Sequence, residues 1–174
     1  LLGLLVAYQL GATWQCAAML LFTYFLMALT LIDMDEYLLP DSLTLPLVWV
    51  GLFANSFSVF TSLENAVYGV MAGYLSLWSI YWLFKLVTGK EGMGYGDFKL
   101  LAAIGAFLGW QALPVVILLS SVVGAVVGIL GIIILGRDKN IAIPFGPYLA
   151  AAGFIAALWG NDITDAYFQF AGIR

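Results

Sequence analysis

Apolar runs of membrane-crossing length follow one another along almost the whole chain, and that spacing constrains the fold more than any single residue. A helix that crosses a bilayer needs about 20 apolar residues, fewer if it is short or partly interfacial. The runs read as a clipped Leu1–Leu10, then Thr13–Ile32, Ser42–Phe57, Asn65–Val87, Phe98–Leu113, Val115–Leu135 and Ile143–Trp159. Polar breaks fall at Asp33–Asp41, Ser58–Glu64, Thr88–Asp97 and Gly136–Asn140, with a polar tail after Gly160; a tight turn at Gln111–Pro114 separates the fifth and sixth runs. With 64% hydrophobic and 9% charged residues, the chain cannot make a water-facing surface. The expected fold is an all-α, polytopic transmembrane bundle of about six to seven helices, residues 1–174 forming a single domain in a lipid bilayer.

Charge and residue usage exclude several function classes. Six basic and ten acidic residues fall in short clusters, so there is no basic stripe to neutralise phosphates, and nucleic acid is not an expected partner. Histidine is absent, which removes Ser-His and Cys-His pairs, His-ligated zinc and a histidine proton relay. The single cysteine, Cys16, lies beside Ala17 and Ala18 and reads as a small buried hydrophobe, and no metal or cofactor is expected in this chain. No basic segment with a cleavage site precedes the first run, so no signal peptide is read.

Cations in short loops favour the cytoplasmic side. If Thr88–Asp97 is cytoplasmic, alternation puts Asp33–Asp41 and Gly136–Asn140 there too, with Lys85, Lys90, Lys99, Arg137 and Lys139 inside and Arg174 outside. Trp14, Trp110 and Trp159 then mark the outer helix ends, as an interfacial aromatic belt does.

Two carboxylates stand at the cytoplasmic margin: Asp33, closing one apolar run, and Asp97, ending Gly94-Tyr95-Gly96-Asp97 and opening another. Ionisable groups at a membrane margin are costly and usually functional. Brought within reach of each other they share a proton, one acting as base toward water and the other as acid toward a scissile carbonyl. Gly94 and Gly96 are expected to leave room, and freedom for positive φ, beside Asp97. Position alone also fits an N-cap role for Asp97 and for Asp41, a loop role for Asp35 and Glu36, and a snorkelling or carboxylate-pairing role for Lys99. From the helix dipoles, Asp97 at an N-terminus leans toward base and Asp33 at a C-terminus toward acid. Gly69/Gly73, Gly105/Gly109 and Gly124/Gly128 read as packing surfaces inside one bundle. Pro46, Pro144 and Pro147 loosen helix ends near the acids.

Three segments carry a resemblance to a known family. Ile32-Asp-Met-Asp-Glu-Tyr-Leu-Leu-Pro-Asp-Ser-Leu-Thr-Leu-Pro46, Gly92-Met-Gly-Tyr-Gly-Asp-Phe-Lys-Leu-Leu101 and Ile143-Pro-Phe-Gly-Pro147 resemble, in order and spacing, the motifs of bacterial type IV prepilin peptidases. The resemblance implies an intramembrane aspartic endopeptidase of the GxGD type, distantly similar to archaeal preflagellin peptidase and presenilin. Asp33 and Asp97 match its catalytic aspartates; Gly94, Gly96, Lys99, Asp35, Glu36, Asp41, Pro144, Phe145 and Gly146 are expected to support the site or its substrate. It further implies prepilin and pseudopilin substrates of type IV pili and type II secretion, cut between a basic leader and a hydrophobic helix at the cytoplasmic face of the bacterial inner membrane. The acids Asp35, Glu36 and Asp41 are expected to attract that leader. Members of the family commonly carry an N-terminal domain with two zinc-binding cysteine pairs and methylate the new N-terminus with S-adenosylmethionine. This chain, with Cys16 alone and a start in mid-helix, is expected to lack that domain, so zinc and methylation are expected only of a longer protein. Two other classes fit an acid-bearing membrane bundle: a proton-coupled transporter, for which the inverted repeats are not seen, and a non-catalytic assembly subunit.

Overall fold

The computed structural model describes residues 1–90, 92–135 and 144–170. Among the described residues the regular structure is entirely helical: α1 (Leu2–Leu10), α2 (Trp14–Glu36), α3 (Asp41–Ser56), α4 (Leu63–Thr88), α5 (Tyr95–Leu108), α6 (Leu113–Leu135) and α7 (Gly146–Phe170). Three segments are long and apolar enough to cross a membrane: Trp14–Glu36, Leu63–Thr88 and Trp110–Gly131. The all-α membrane bundle expected from the apolar spacing is the architecture found.

Several boundaries differ from the sequence reading. Helix α2 does not stop at Ile32 but runs another turn, until Tyr37 adopts the left-handed conformation (φ 54°) and closes it with an N–H bond to the Asp33 carbonyl. The tail after Gly160 is helical through Phe170. The turn after α5 comes earlier than Gln111–Pro114, because Gly109 takes φ 82° and a single 3₁₀ turn, Trp110–Ala112, leads into α6. The break at 136–140, with Arg137 and Lys139, and Ile143 and Arg174 lie outside the described residues.

Helix α5 is the axis of the bundle. From Asp97 to Phe107 nearly every residue is buried, Lys99 excepted, as expected of a helix apolar all round. Small residues let its neighbours come close. A Cβ on Gly69 of α4 would run into the Gly105 backbone, and one on Gly105 into Gly69; a Cβ on Gly73 would fall 2.7 Å from the Leu101 carbonyl oxygen. Gly51 of α3 packs against Ala106 and Phe107, and Gly153 of α7 against Ile104. The glycine pairs at 69/73 and 105 thus serve packing within one bundle, while Gly109 ends a helix.

The far end of α5 is tied down by Asn55, wholly buried in α3. Its Nδ2 donates to the carbonyls of Ala106 and Phe107 at 2.8 and 2.9 Å, and its Oδ1 accepts from the N–H groups of Phe60 and Thr61 at 3.0 and 3.1 Å. Orphan carbonyls at a helix C-terminus are costly when buried, and one side chain satisfies two of them here.

Helices α2 and α5 run antiparallel, and the Phe22 and Phe107 rings meet at 4.5 Å between centroids. Asp33 lies about 16 Å along α2 from Phe22, and Asp97 about 15 Å along α5 from Phe107. One aromatic contact therefore brings both aspartates to the same level. Trp14 and Trp110 stand at the opposite end of these helices.

Gly69→Ala should destabilise the bundle by about 2 kcal/mol or more, since the methyl meets backbone rather than a movable side chain. Thermal unfolding in detergent measures it, and an unchanged midpoint would contradict the α4–α5 approach.

Candidate active site

Asp33 and Asp97 are each only 5% exposed. Asp33 occupies the last turn of α2, where the negative end of its own helix dipole disfavours a carboxylate. A second helix answers that: the N–H of Gly146, the first residue of α7, donates to Asp33 Oδ2 at 3.0 Å. This contact spans more than a hundred residues of sequence and joins the first motif to the third.

Asp97 is not the N-cap that its place before an apolar run suggested. The cap is Gly94, and Asp97 is three residues in, its carboxylate reaching back to accept the Gly94 N–H at 3.1 Å. The acid thus helps satisfy the helix start that carries it. Burial, and then the charge of Asp33, push the Asp97 carboxyl up to about 7, against the opposing pull of the Gly94 N–H. The dipole lean that made Asp97 the ionised partner is therefore outweighed, because a helix end contributes only about 1 kcal/mol.

The glycines act otherwise than expected. Neither Gly94 nor Gly96 has positive φ. A Cβ on Gly96 would fall 2.6 Å from Leu39 Cβ, and one on Gly146 would fall 2.6 Å from Asp33 Oδ2 and 3.2 Å from Leu39 Cδ1. Gly96 and Gly146 are therefore bare so that Leu39 and Asp33 can fit against them; at Gly94 the nearest atom to an added Cβ is 3.9 Å away. Leu39, buried between these two glycines, is a site residue that sequence reasoning missed; an apolar side chain among apolar side chains gives no chemical signal.

The remaining predicted residues divide. Asp41 is not a cap: Pro40 holds that position, and Asp41, in the first turn of α3, accepts from Lys99 Nζ at 2.5 Å. Lys99 thus pairs with a carboxylate, but with Asp41 rather than a buried acid. Asp35 and Glu36 are exposed on the last turn of α2, unpaired among the described residues. Pro144 and Phe145 are half-buried in the approach to α7, and the Phe145 carbonyl accepts the N–H groups of Tyr148 and Leu149.

Residues 20–129 match the model of the type IV leader peptidase family. The chain belongs to that family. A prepilin leader peptidase/N-methyltransferase of Pseudomonas aeruginosa is 60% identical over 97% of this chain, and one of Stutzerimonas stutzeri is 61% identical over 95%. A third, from Aeromonas hydrophila, is 62% identical over 96%. The chain spans somewhat under three-fifths of these relatives, 58%, 57% and 58% of their lengths in turn. No solved structure matches it significantly. The leader peptidase match takes in both aspartates and ends before Gly146, so the Gly146–Asp33 bond ties the matched region to a helix beyond it.

Because the Asp97 carboxyl is raised on folding, stability is greatest at low pH, where folded and unfolded chains are both protonated. It falls as pH climbs from the ordinary carboxylate range through about 7. Asp97→Asn should flatten that dependence and raise the unfolding midpoint at pH 8 relative to the unsubstituted protein, with little difference at pH 4. Equal midpoints at both pH values would refute the burial effect.

Proposed function

We propose that this chain is the catalytic membrane portion of an aspartic endopeptidase that removes the basic leader from prepilins and pseudopilins at the cytoplasmic face of the bacterial inner membrane. One observation carries the reading: two buried carboxyls from separate helices at the same level of the bundle, close enough for the charge of one to raise the proton affinity of the other. A structural cap needs neither the second acid nor the burial. Family membership and the relatives' names, which specify prepilin leader cleavage, support the substrate class.

Hydrolysis follows from the shared proton. Asp97 holds it, and Asp33, facing the start of α7, acts as base. Asp33 takes a proton from water as the hydroxyl oxygen bonds to the scissile carbonyl carbon, while Asp97 gives its proton to the carbonyl oxygen. The tetrahedral diol collapses when the proton held by Asp33 passes to the departing amine and the C–N bond breaks; a diol hydroxyl returns its proton to Asp97. Water is consumed, and both carboxyls end as they began.

The cytoplasmic placement rests on charge. Lys85 closes α4, Lys90 follows it and Lys99 lies in α5, all toward the end that holds the acids. Among the described residues no three acids and cysteines cluster to hold a metal ion, and the mechanism routes no step through one. Methylation with S-adenosylmethionine, and zinc, are assigned to a longer protein bearing the cysteine pairs absent from this sequence.

Asp33→Asn and Asp97→Asn should each lower cleavage of a prepilin-like peptide in detergent by roughly 10²-fold or more while the helical content is kept. Cleavage should also fall as pH rises through about 7, as Asp97 loses the proton it donates. Full activity in either variant would eliminate the dyad; a folded protein that never cuts the peptide would favour a transporter or an assembly subunit.

A further inference from the structure

The connection from α2 to α3 is tied to both acids, although it carries neither. Helix α2 ends where Tyr37 turns left-handed, and the Tyr37 N–H bonds the carbonyl of Asp33, so the connection starts from the backbone of one acid. It closes beside the other: Asp41, in the first turn of α3, accepts from Lys99, two residues beyond Asp97. Between these points Tyr37 and Leu38 are 52% and 61% exposed, whereas Leu39 is 5% exposed. Connecting segments run over the surface, and here one side chain turns inward.

What Leu39 meets is backbone. An added Cβ on Gly96 would fall 2.6 Å from Leu39 Cβ and 3.2 Å from its carbonyl oxygen, so Leu39 lies directly against the residue before Asp97. At its other end, Leu39 Cδ1 would be 3.2 Å from a Cβ on Gly146, the residue whose N–H holds Asp33, and Asp33 Oδ2 would be 2.6 Å from the same point. Leu39 thus reaches from the start of α5 to the start of α7. Facing side chains can adjust by changing rotamer, but two glycines cannot, so the length of Leu39 is passed to the separation of these helix starts. The Asp41–Lys99 pair is the weaker tie, because the Asp41 side chain is 57% exposed and an ion pair in contact with water contributes little. Packing of Leu39 decides.

We infer that Leu39 is a positioning residue for the peptidase reaction, a wedge between the starts of α5 and α7 whose length sets the spacing of Asp33 and Asp97. This rests on the peptidase reading and adds what holds its two acids at working distance. Two carboxyls share one proton only while they stay close and shielded from water. A shorter wedge lets the start of α7, and Asp33 with it, shift relative to Asp97, and it opens space for water. A displacement of about 1 Å between reacting groups can cost about 10²-fold in rate.

In the full-length protein, Leu39→Ala should lower kcat for a prepilin-like peptide by about 10- to 100-fold, while KM changes by less than about twofold. Leu39→Met, which keeps the reach, should retain most of kcat. Infrared titration, with Asp97→Asn identifying the band, reads the spacing without any cleavage. The Asp97 carboxyl, raised to about 7 by burial and by the charge of Asp33, should titrate about a unit lower in Leu39→Ala, because both causes weaken. Leu39→Val keeps the Cβ against Gly96 and withdraws the tip from Gly146, so it should move the titration the same way by less, and it serves if Leu39→Ala does not fold. An Asp97 titration unmoved by shortening Leu39 would overturn the inference whatever happens to kcat. A raised KM with kcat kept would overturn it too, marking a substrate contact, as would a lowered thermal midpoint alone, marking ordinary packing. A protein that never cuts the peptide, yet whose Asp97 titration follows the size of residue 39, would remove the peptidase reading and leave the wedge.

Discussion

Helix α5 is buried nearly all round, and from that the rest of the structure follows. A helix of bare polar ends and apolar sides can sit at the centre of a bundle only if neighbours come close and its ends are satisfied. Gly69, Gly73, Gly51 and Gly153 supply the closeness from three different helices. Asn55 satisfies one end, and Asp97 the other. The same carboxylate that answers the Gly94 N–H is therefore fixed in depth, orientation and exposure by the packing of a whole helix.

A carboxyl so placed is not free to behave as a surface acid. Water is largely withdrawn, a second carboxyl lies close by, and among the described residues one backbone N–H, that of Gly94, donates to it. Asp33 has a parallel arrangement, with α7 supplying its N–H from outside its own helix. Each acid thus depends on a different neighbour, and Leu39 fills the space that bare Gly96 and Gly146 leave. The pair is held between three segments that are distant in sequence.

The identity of the two acids was legible in the sequence because charge is scarce in an apolar chain, and Asp33 and Asp97 stand where apolar runs end. The antiparallel end-to-end placement also followed from alternation. Other roles were not legible, since they turn on which helix lies alongside. Asp41 looked like a cap and Lys99 like a snorkelling cation or the partner of a carboxylate, and only the fold shows that they pair with each other across 58 positions. Gly96 looked like space for substrate, yet that space belongs to Leu39. Asn55 carries no local signal that it reaches the carbonyls of a different helix.

By itself the sequence determined the class of solvent, the number and approximate limits of the helices and the two residues most in need of explanation, because hydropathy and helix-breaking residues act over a few turns. Only the tertiary structure decided which acid is buried beside which backbone N–H and which groups surround each carboxyl. Those depend on dielectric surroundings and on groups brought together from distant parts of the chain, and local sequence carries no term for either.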